Sequence, residues 1–233
     1  MAGVADHSDL WPFAIYRAVV GSRAQGLDDD QSDTDLRGAY LPPARLHWSF
    51  DGVPEQLEDD ATQTTLWELQ KFLRLALKAN PNVLECLWSP LVEHAAPVGE
   101  ELRERRAMFL SRVAHQTFGG YATAQFRKLS NTIARGEPAK PKHVMHLLRL
   151  LLTGVDLLRT GELTVRVADE HRDRLLAIKR GDYDPAEAEA WRLWLHEQLD
   201  AALAKSPLPE SPDVAAANDF LLRARRQAVE DAP

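Results

Sequence analysis

The chain has 233 residues, 45% apolar and 27% charged, which is enough apolar material for a packed core and excludes global disorder. Its net charge of −7 argues against coating duplex DNA by bulk charge, but leaves open an enzyme that meets nucleotides through metal ions. No apolar run approaches the ~20 residues of a membrane helix, residues 1–10 lack the basic cluster of a leader, and the single Cys86 cannot form an internal disulfide, which points to a reducing, cytoplasmic setting.

In chain order, residues 14–20 form a β-rich run that stops at Gly21-Ser22. Residues 26–32 read as a loop, with Asp28, Asp29 and Asp30 solvated. Thr34 to Leu41 alternates and ends at Pro42-Pro43, a strand signature. Residues 44–60 read as irregular, with Trp48 and Phe50 as anchors. Thr62 to Trp67 is a second β-branched run, and a helix from about Glu68 to Asn80 is bounded by Pro81. Val83 to Trp88 continues as helix or short strand. From about residue 99 apolar positions recur at helical spacing. The breakers between them are Gly119-Gly120, Gly136 to Pro141, Thr160-Gly161, Arg180 to Pro185 and the proline-rich Ser206 to Pro212. The expected class is α+β: an N-terminal domain over residues 1–98 built on a mixed sheet, then a helical domain over residues 99–233 that completes a cleft.

Chemistry concentrates where the first strand ends and the second begins. Side chains two apart in a strand share a face, so Asp33 and Asp35 project together. Two carboxylates on one face repel unless a cation lies between them, and magnesium takes such hard oxygens while keeping substrate phosphates in its shell. Across from them, Gly21 permits close backbone approach, and exposed N–H groups with the Ser22 hydroxyl can hold phosphate oxygens. A phosphate cradle facing a carboxylate pair is the minimum for metal-assisted phosphoryl or nucleotidyl transfer. Arg23 can reach phosphates from the loop, and Arg37 shares the strand face of Asp35 and can neutralise the acids.

Further along, the helix from about Pro141 to Thr160 is apolar except for one stripe of Lys142, His146, Arg149, Thr153 and Asp156. A polar stripe on a buried helix must face a partner or a wet cleft. Lys142, His146 and Arg149 are therefore candidates for phosphate binding; the competing reading is an internal ion pair through Asp156 or an acid of the first domain. Lys71 is a weaker phosphate candidate, and Tyr121, Gln125 and Lys128 read as a surface helix. His143 and His146 lack a third ligand at zinc spacing, and Cys86, among Leu84, Leu87 and Trp88, reads as core.

Gly21-Ser22-Arg23-Ala24-Gln25-Gly26-Leu27, followed by Ser32-Asp33-Thr34-Asp35-Leu36-Arg37-Gly38, resembles the signature of the DNA polymerase β-type nucleotidyltransferase superfamily. The Arg-Gly after the acids resembles the RlaP-like branch of predicted nucleotidyltransferases, some linked to RNA repair. The block from Trp67 to Phe72 and on through Asn80-Pro81-Asn82-Val83-Leu84-Glu85 is similar to that branch, as is Lys142-His143-x-x-His146-x-x-Arg149. The resemblance spans residues 13–222 and implies a polymerase β-like catalytic domain. It also implies two magnesium (or manganese) ions on Asp33, Asp35 and a third carboxylate, for which Glu68 is preferred over Asp60. Glu68 also suits the first turn of the following helix. The implied reaction moves a nucleoside monophosphate from a nucleoside triphosphate to a hydroxyl acceptor, an RNA end or a protein, and expels pyrophosphate. Antitoxin-like protein adenylylation and a nucleotide-binding module without catalysis are the alternatives.

Overall fold

A computed structural model describes residues 8–126 and 140–230 of the chain. After a 3-10 turn over Ser8–Phe13, the first β-rich run becomes β1 (Ala14–Val20) and passes through Gly21 into a single helical turn, α1 (Ser22–Gln25). The alternating segment becomes β2 (Asp35–Tyr40). Residues 44–60 are not irregular: they hold α2 (Ala44–His47) and β3 (Gln56–Asp59), and β3 turns back into β4 (Thr64–Glu68). Trp48 and Phe50 do not anchor this stretch, being 71% and 110% exposed. Leu57 is buried instead, in a small cluster with Leu10, Tyr40 and Leu66 that Leu46 and Val53 pack against.

Two short helices follow. In α3 (Leu69–Leu77), Leu69, Phe72, Leu73 and Ala76 recur at helical spacing and face inward. Asn80 then caps α4 (Pro81–Trp88), accepting hydrogen bonds from the amides of Asn82 and Val83, and Pro81 holds the first helical position. That cap settles Val83–Trp88 as helix rather than strand. β5 (Val92–Ala95) and α5 (Pro97–Glu104) complete the first half.

The sheet is mixed, in the order β3-β4-β2-β1-β5. β2 and β4 are parallel, and the other neighbours are antiparallel. Strand alternation sorts the sheet into two faces. One carries Tyr16, Ala18, Ala39 and Trp67 into the main core, where α3 and α4 pack; the other carries Tyr40 and Leu66 into the small cluster. α4 is also pinned to the strands by polar contacts: the Tyr16 hydroxyl donates to the Cys86 carbonyl (3.0 Å), and the Cys86 thiol to the Arg37 carbonyl (3.2 Å). Burial pushes the Cys86 thiol well above its ordinary range, so it is an inert core group.

The second half is helical. Residues 113–126 form a helix with a π-turn at His115–Gly119. Gly119-Gly120 is therefore not a breaker. A Cβ on Gly119 would fall 2.7 Å from Leu199, so the bare Gly119 lets another helix approach closely. Lys128 and residues 136–139 of the expected 136–141 breaker lie outside the described residues. α6 (Pro141–Thr160) ends at Gly161 in the left-handed conformation, α7 (Asp169–Arg180) ends likewise at Gly181, and α8 (Pro185–Lys205) packs along α6. The 206–212 connector is held by Arg112, whose amide donates to the Pro209 carbonyl and whose guanidinium donates to that of Ser206. α9 (Val214–Glu230) then returns to the first half, where Arg223 meets Glu101 and Arg225 meets Glu68. Among the described residues, no helix is long and apolar enough to cross a membrane.

Candidate active site

Antiparallel pairing places Val20, the last residue of β1, opposite Asp35, the first of β2. The next residue, Gly21, has φ 70° and ψ −151°. A Cβ there would sit 3.0 Å from Asp35 Oδ2. The turn therefore presses bare backbone against the second acid, and both its conformation and its room favour glycine.

The acids are held by neighbours rather than by each other. Arg23 donates to the Ser32 carbonyl (2.7 Å) and the Asp33 carbonyl (3.3 Å), closing the intervening loop and fixing the backbone at Asp33. Two of its three guanidinium nitrogens, Nε and Nη2, are thus engaged by the loop, and Arg23 is not among the residues that line the cleft over the acids. The loop is less free than its composition implies. Lys179 of α7 donates to Leu27 O (2.9 Å) and Asp29 Oδ2 (2.7 Å), and Arg172 donates to Gly26 O (2.9 Å). The hydrogen bonds from Lys179 and Ser32 hold the Asp29 carboxyl down to about 2. Arg37 lies along the seam between β2 and β4. Its Nη1 donates to the carbonyls of Leu36 (2.8 Å) and Gln63 (3.0 Å), and its Nη2 is 3.7 Å from Asp35 Oδ1.

A cleft of about 460 Å³ opens over these groups, within the range of small-ligand sites. Gly21, Ser22, Asp33, Asp35 and Arg37 form one side, Asn82 and Glu85 of α4 lie beneath, and Lys140, Lys142, His143 and His146 form the other. The structure thus brings six predicted residues together: Gly21, Ser22, Asp33, Asp35, Lys142 and His146. Among the described residues, neither the Lys140 nor the Lys142 ammonium has a hydrogen-bond or ion-pair partner, and both are exposed. Burial, and then the Arg149 charge, push the His146 imidazole down to about 4. It meets the cleft as a neutral ring, not as the cation a phosphate would prefer.

Arg149 is not at the cleft surface. It is 1% exposed and donates from Nη1 to Glu85 Oε1 (2.8 Å), while Gln25 donates to Glu85 Oε2 (3.0 Å). Of the two readings of the polar stripe, the ion pair with an acid of the first half holds at Arg149. Lys71 likewise pairs with Glu55 at 2.7 Å.

Glu68 is not brought to the acid pair. Parallel pairing sets it opposite Tyr40, at the other end of β2 from Asp35, and on the sheet face of the small cluster. There its Oε2 accepts from the amides of Gln70 and Lys71 as the cap of α3, and its Oε1 pairs with Arg225 at 3.1 Å. Asp60 is exposed in the β3–β4 turn and does not line the cleft. The β4-side neighbour of Asp35 is Gln63, whose carbonyl accepts from Leu36 N. Among the described residues, no set of three His, Cys, Asp or Glu side chains is arranged to hold a metal ion. The hard oxygens of Asp33 and Asp35 and the Ser22 hydroxyl suit one divalent cation whose shell is completed by substrate phosphates and water.

Sequence reasoning gave no site role to Glu85, Gln25, Asn82 and His143, which it met only inside longer motifs or as a zinc pair, and it did not reach Lys140. A signal existed for the first: an acid inside Val83-Leu84-Glu85-Cys86-Leu87 must be buried, and a buried carboxylate requires a partner.

Against known proteins, the chain matches the family model described as "RlaP: RNA repair pathway DNA polymerase beta family" over residues 12–223. It is also 31% identical over 142 residues to the Bacillus subtilis (strain 168) protein named "Uncharacterized protein YcgL". That match covers 59% of this chain and 54% of the relative, so the chain spans about half the relative's length.

Proposed function

The chain belongs to the RlaP family, and on that premise we propose that it is a nucleotidyltransferase, moving a nucleoside monophosphate from a nucleoside triphosphate to a hydroxyl acceptor. The observation that carries this reading is the Gly21-Ser22 turn packed against Asp35 on one side of a cleft whose opposite side presents Lys140 and Lys142 without partners among the described residues. Asp33 and Asp35 would hold magnesium or manganese, which when bound supplies charge neutralisation at the phosphates and activation of the acceptor hydroxyl. Ser22 and the turn backbone bind phosphate oxygens. Lys140 and Lys142 attract the triphosphate and offset its charge. Arg23 and Arg37 keep the two acids in place, and His146 supplies a neutral wall. A second ion would draw on Asp35, phosphates and water, since Glu68 and Asp60 lie away from the cleft.

The family description favours an RNA end as acceptor over a protein side chain. A second reading, a nucleotide-binding module without catalysis, is favoured by one observation: no third carboxylate joins Asp33 and Asp35 among the described residues. Magnesium-dependent pyrophosphate release with each nucleoside triphosphate, offered with RNA ends, tests both. Asp33→Ala and Asp35→Ala are expected to lower release on the order of 100-fold or more. Equal release by all three proteins removes catalysis from this site. Binding of the magnesium–nucleotide that both variants abolish, with no turnover by wild type, selects the binding module.

A further inference from the structure

We propose that Glu85 is a positioning residue that sets the Gly21-Ser22 turn and α6 in register with each other across the cleft. Three distant segments meet at its carboxylate. Gln25 ends α1, Glu85 lies in the middle of α4, and Arg149 lies in the middle of α6; they are 5%, 6% and 1% exposed. Both carboxylate oxygens are used, one by Gln25 at 3.0 Å and one by Arg149 at 2.8 Å. Stability alone does not call for such a cluster, because a well-packed apolar set in place of a buried ion pair is commonly neutral or stabilising. What the cluster adds is direction, since each hydrogen bond fixes both a distance and an angle.

The groups it directs are those of the cleft. The Gln25 amide donates to the Gly21 carbonyl (3.1 Å) and the Gln25 carbonyl accepts from Val167 (3.0 Å), so drawing its side chain to Glu85 completes the fixation of the turn that faces Asp35. On the other side, Arg149 shares one stripe of α6 with His146 and Lys142. Holding Arg149 sets the rotation and height of both. One carboxylate thereby keys the phosphate-side wall to the lysine-side wall. The cluster stands on geometry alone; its consequence for ligand rests on the proposed nucleotide site.

The test uses the full chain and the variants Glu85→Leu/Arg149→Leu, Glu85→Gln/Arg149→Met and Gln25→Met. Hydrogen exchange without nucleotide is followed in peptides covering residues 21–27, where the Gln25 and Leu27 amides report the turn, with α9 as the internal reference. Affinity for magnesium–ATP is titrated well below the melting temperature. Glu85→Leu/Arg149→Leu is expected to melt within a few degrees of wild type, exchange at least tenfold faster over 21–27 with α9 unchanged, and bind magnesium–ATP at least tenfold more weakly. Glu85→Gln/Arg149→Met keeps an acceptor for Gln25 and is expected to restore protection of the turn. Gln25→Met leaves the ion pair intact, so it decides the exchange result even where the leucine pair does not fold. Unchanged protection over 21–27 in Gln25→Met or the leucine pair overturns the proposal. A wild type that binds no magnesium–ATP refutes the nucleotide site, while the exchange data still decide the positioning role.

Discussion

Replacing Gly38 with alanine tests whether the Arg37-Gly38 dipeptide is there for backbone contact. A Cβ at Gly38 would lie 1.9 Å from the Tyr16 carbonyl oxygen, 2.9 Å from its carbon and 3.0 Å from Arg17 Cα. All three are backbone atoms of the paired strand, so no side-chain rotation relieves the clash. An ordinary carbon–oxygen contact is about 3.3 Å, so β1 and β2 must part by roughly 1.4 Å. Ladder hydrogen bonds around the Arg17–Gly38 pair then exceed bonding distance. Losing two or three at about 1 kcal/mol each, with buried groups left unpaired, gives on the order of 4 kcal/mol. For a chain of this size that is a fall in melting temperature of roughly 8–16 °C. Gly120→Ala is the control: nothing lies within 4 Å of its Cβ and its backbone is helical at φ −66° and ψ −40°. It should be neutral or gain about 0.5–1 kcal/mol. Thermal and urea unfolding followed by circular dichroism measure both. A Gly38→Ala protein within about 1 kcal/mol of wild type, or two glycine variants that behave alike, refutes the reasoning. The same strand pair sets Val20 against Asp35, so nucleotide affinity should fall together with stability.

Glu68→Ala removes the cap of α3 and the partner of Arg225, and is expected to cost about 1–3 kcal/mol in urea unfolding. Its pyrophosphate release, measured well below the melting temperature, should stay close to wild type; a loss as deep as that of Asp33→Ala would return Glu68 to the catalytic set. His146 gives a pH signature. Its imidazole is pushed from 6.5 to about 4, so between those values the unfolded chain takes up a proton that the folded chain refuses, and stability falls as pH falls. The contribution is fully present above pH 6.5 and amounts to about 3 kcal/mol at most. The surrounding groups are Arg149, Glu85 and His143. Urea unfolding at pH 7 and pH 4.5 should show a smaller acid loss in His146→Gln than in wild type, and equal losses would exclude His146 as the source.

What was legible in the sequence was local. Gly21-Ser22, Asp33 and Asp35 are close in the chain, so their meeting at one cleft could be expected from the residues, although β2 begins only at Asp35 and Asp33 reaches the cleft from the loop before it rather than from a shared strand face. The order of a mixed sheet-and-helix half followed by a helical half was equally readable, because from about residue 99 apolar positions recur at helical spacing with no further alternating run. Long-range partners were not readable. Arg149 carries the same local pattern whether it faces a phosphate or Glu85, and the choice depends on a helix 64 residues away. Glu68 fails on two long-range counts: the parallel register of β4 on β2 sets it opposite Tyr40, at the far end from Asp35, and its phase turns it to the other sheet face. Trp48 and Phe50 are apolar without being buried, since apolar character alone does not place a side chain in a core. Gly119-Gly120 reads as a break, yet the chain stays helical through both residues, with Gly119 set close to Leu199.

The return of α9 to the sheet has a kinetic consequence. Glu68 and Arg225 are 157 residues apart in the chain. At ribosomal rates of about 5–20 residues per second, Arg225 emerges roughly 8–30 s after Glu68. Over that interval the five strands can already pair, but the capping carboxylate of α3 waits without its guanidinium. The growing chain is then a nearly finished sheet with one flank uncovered, and the last helix acts as its timed closure.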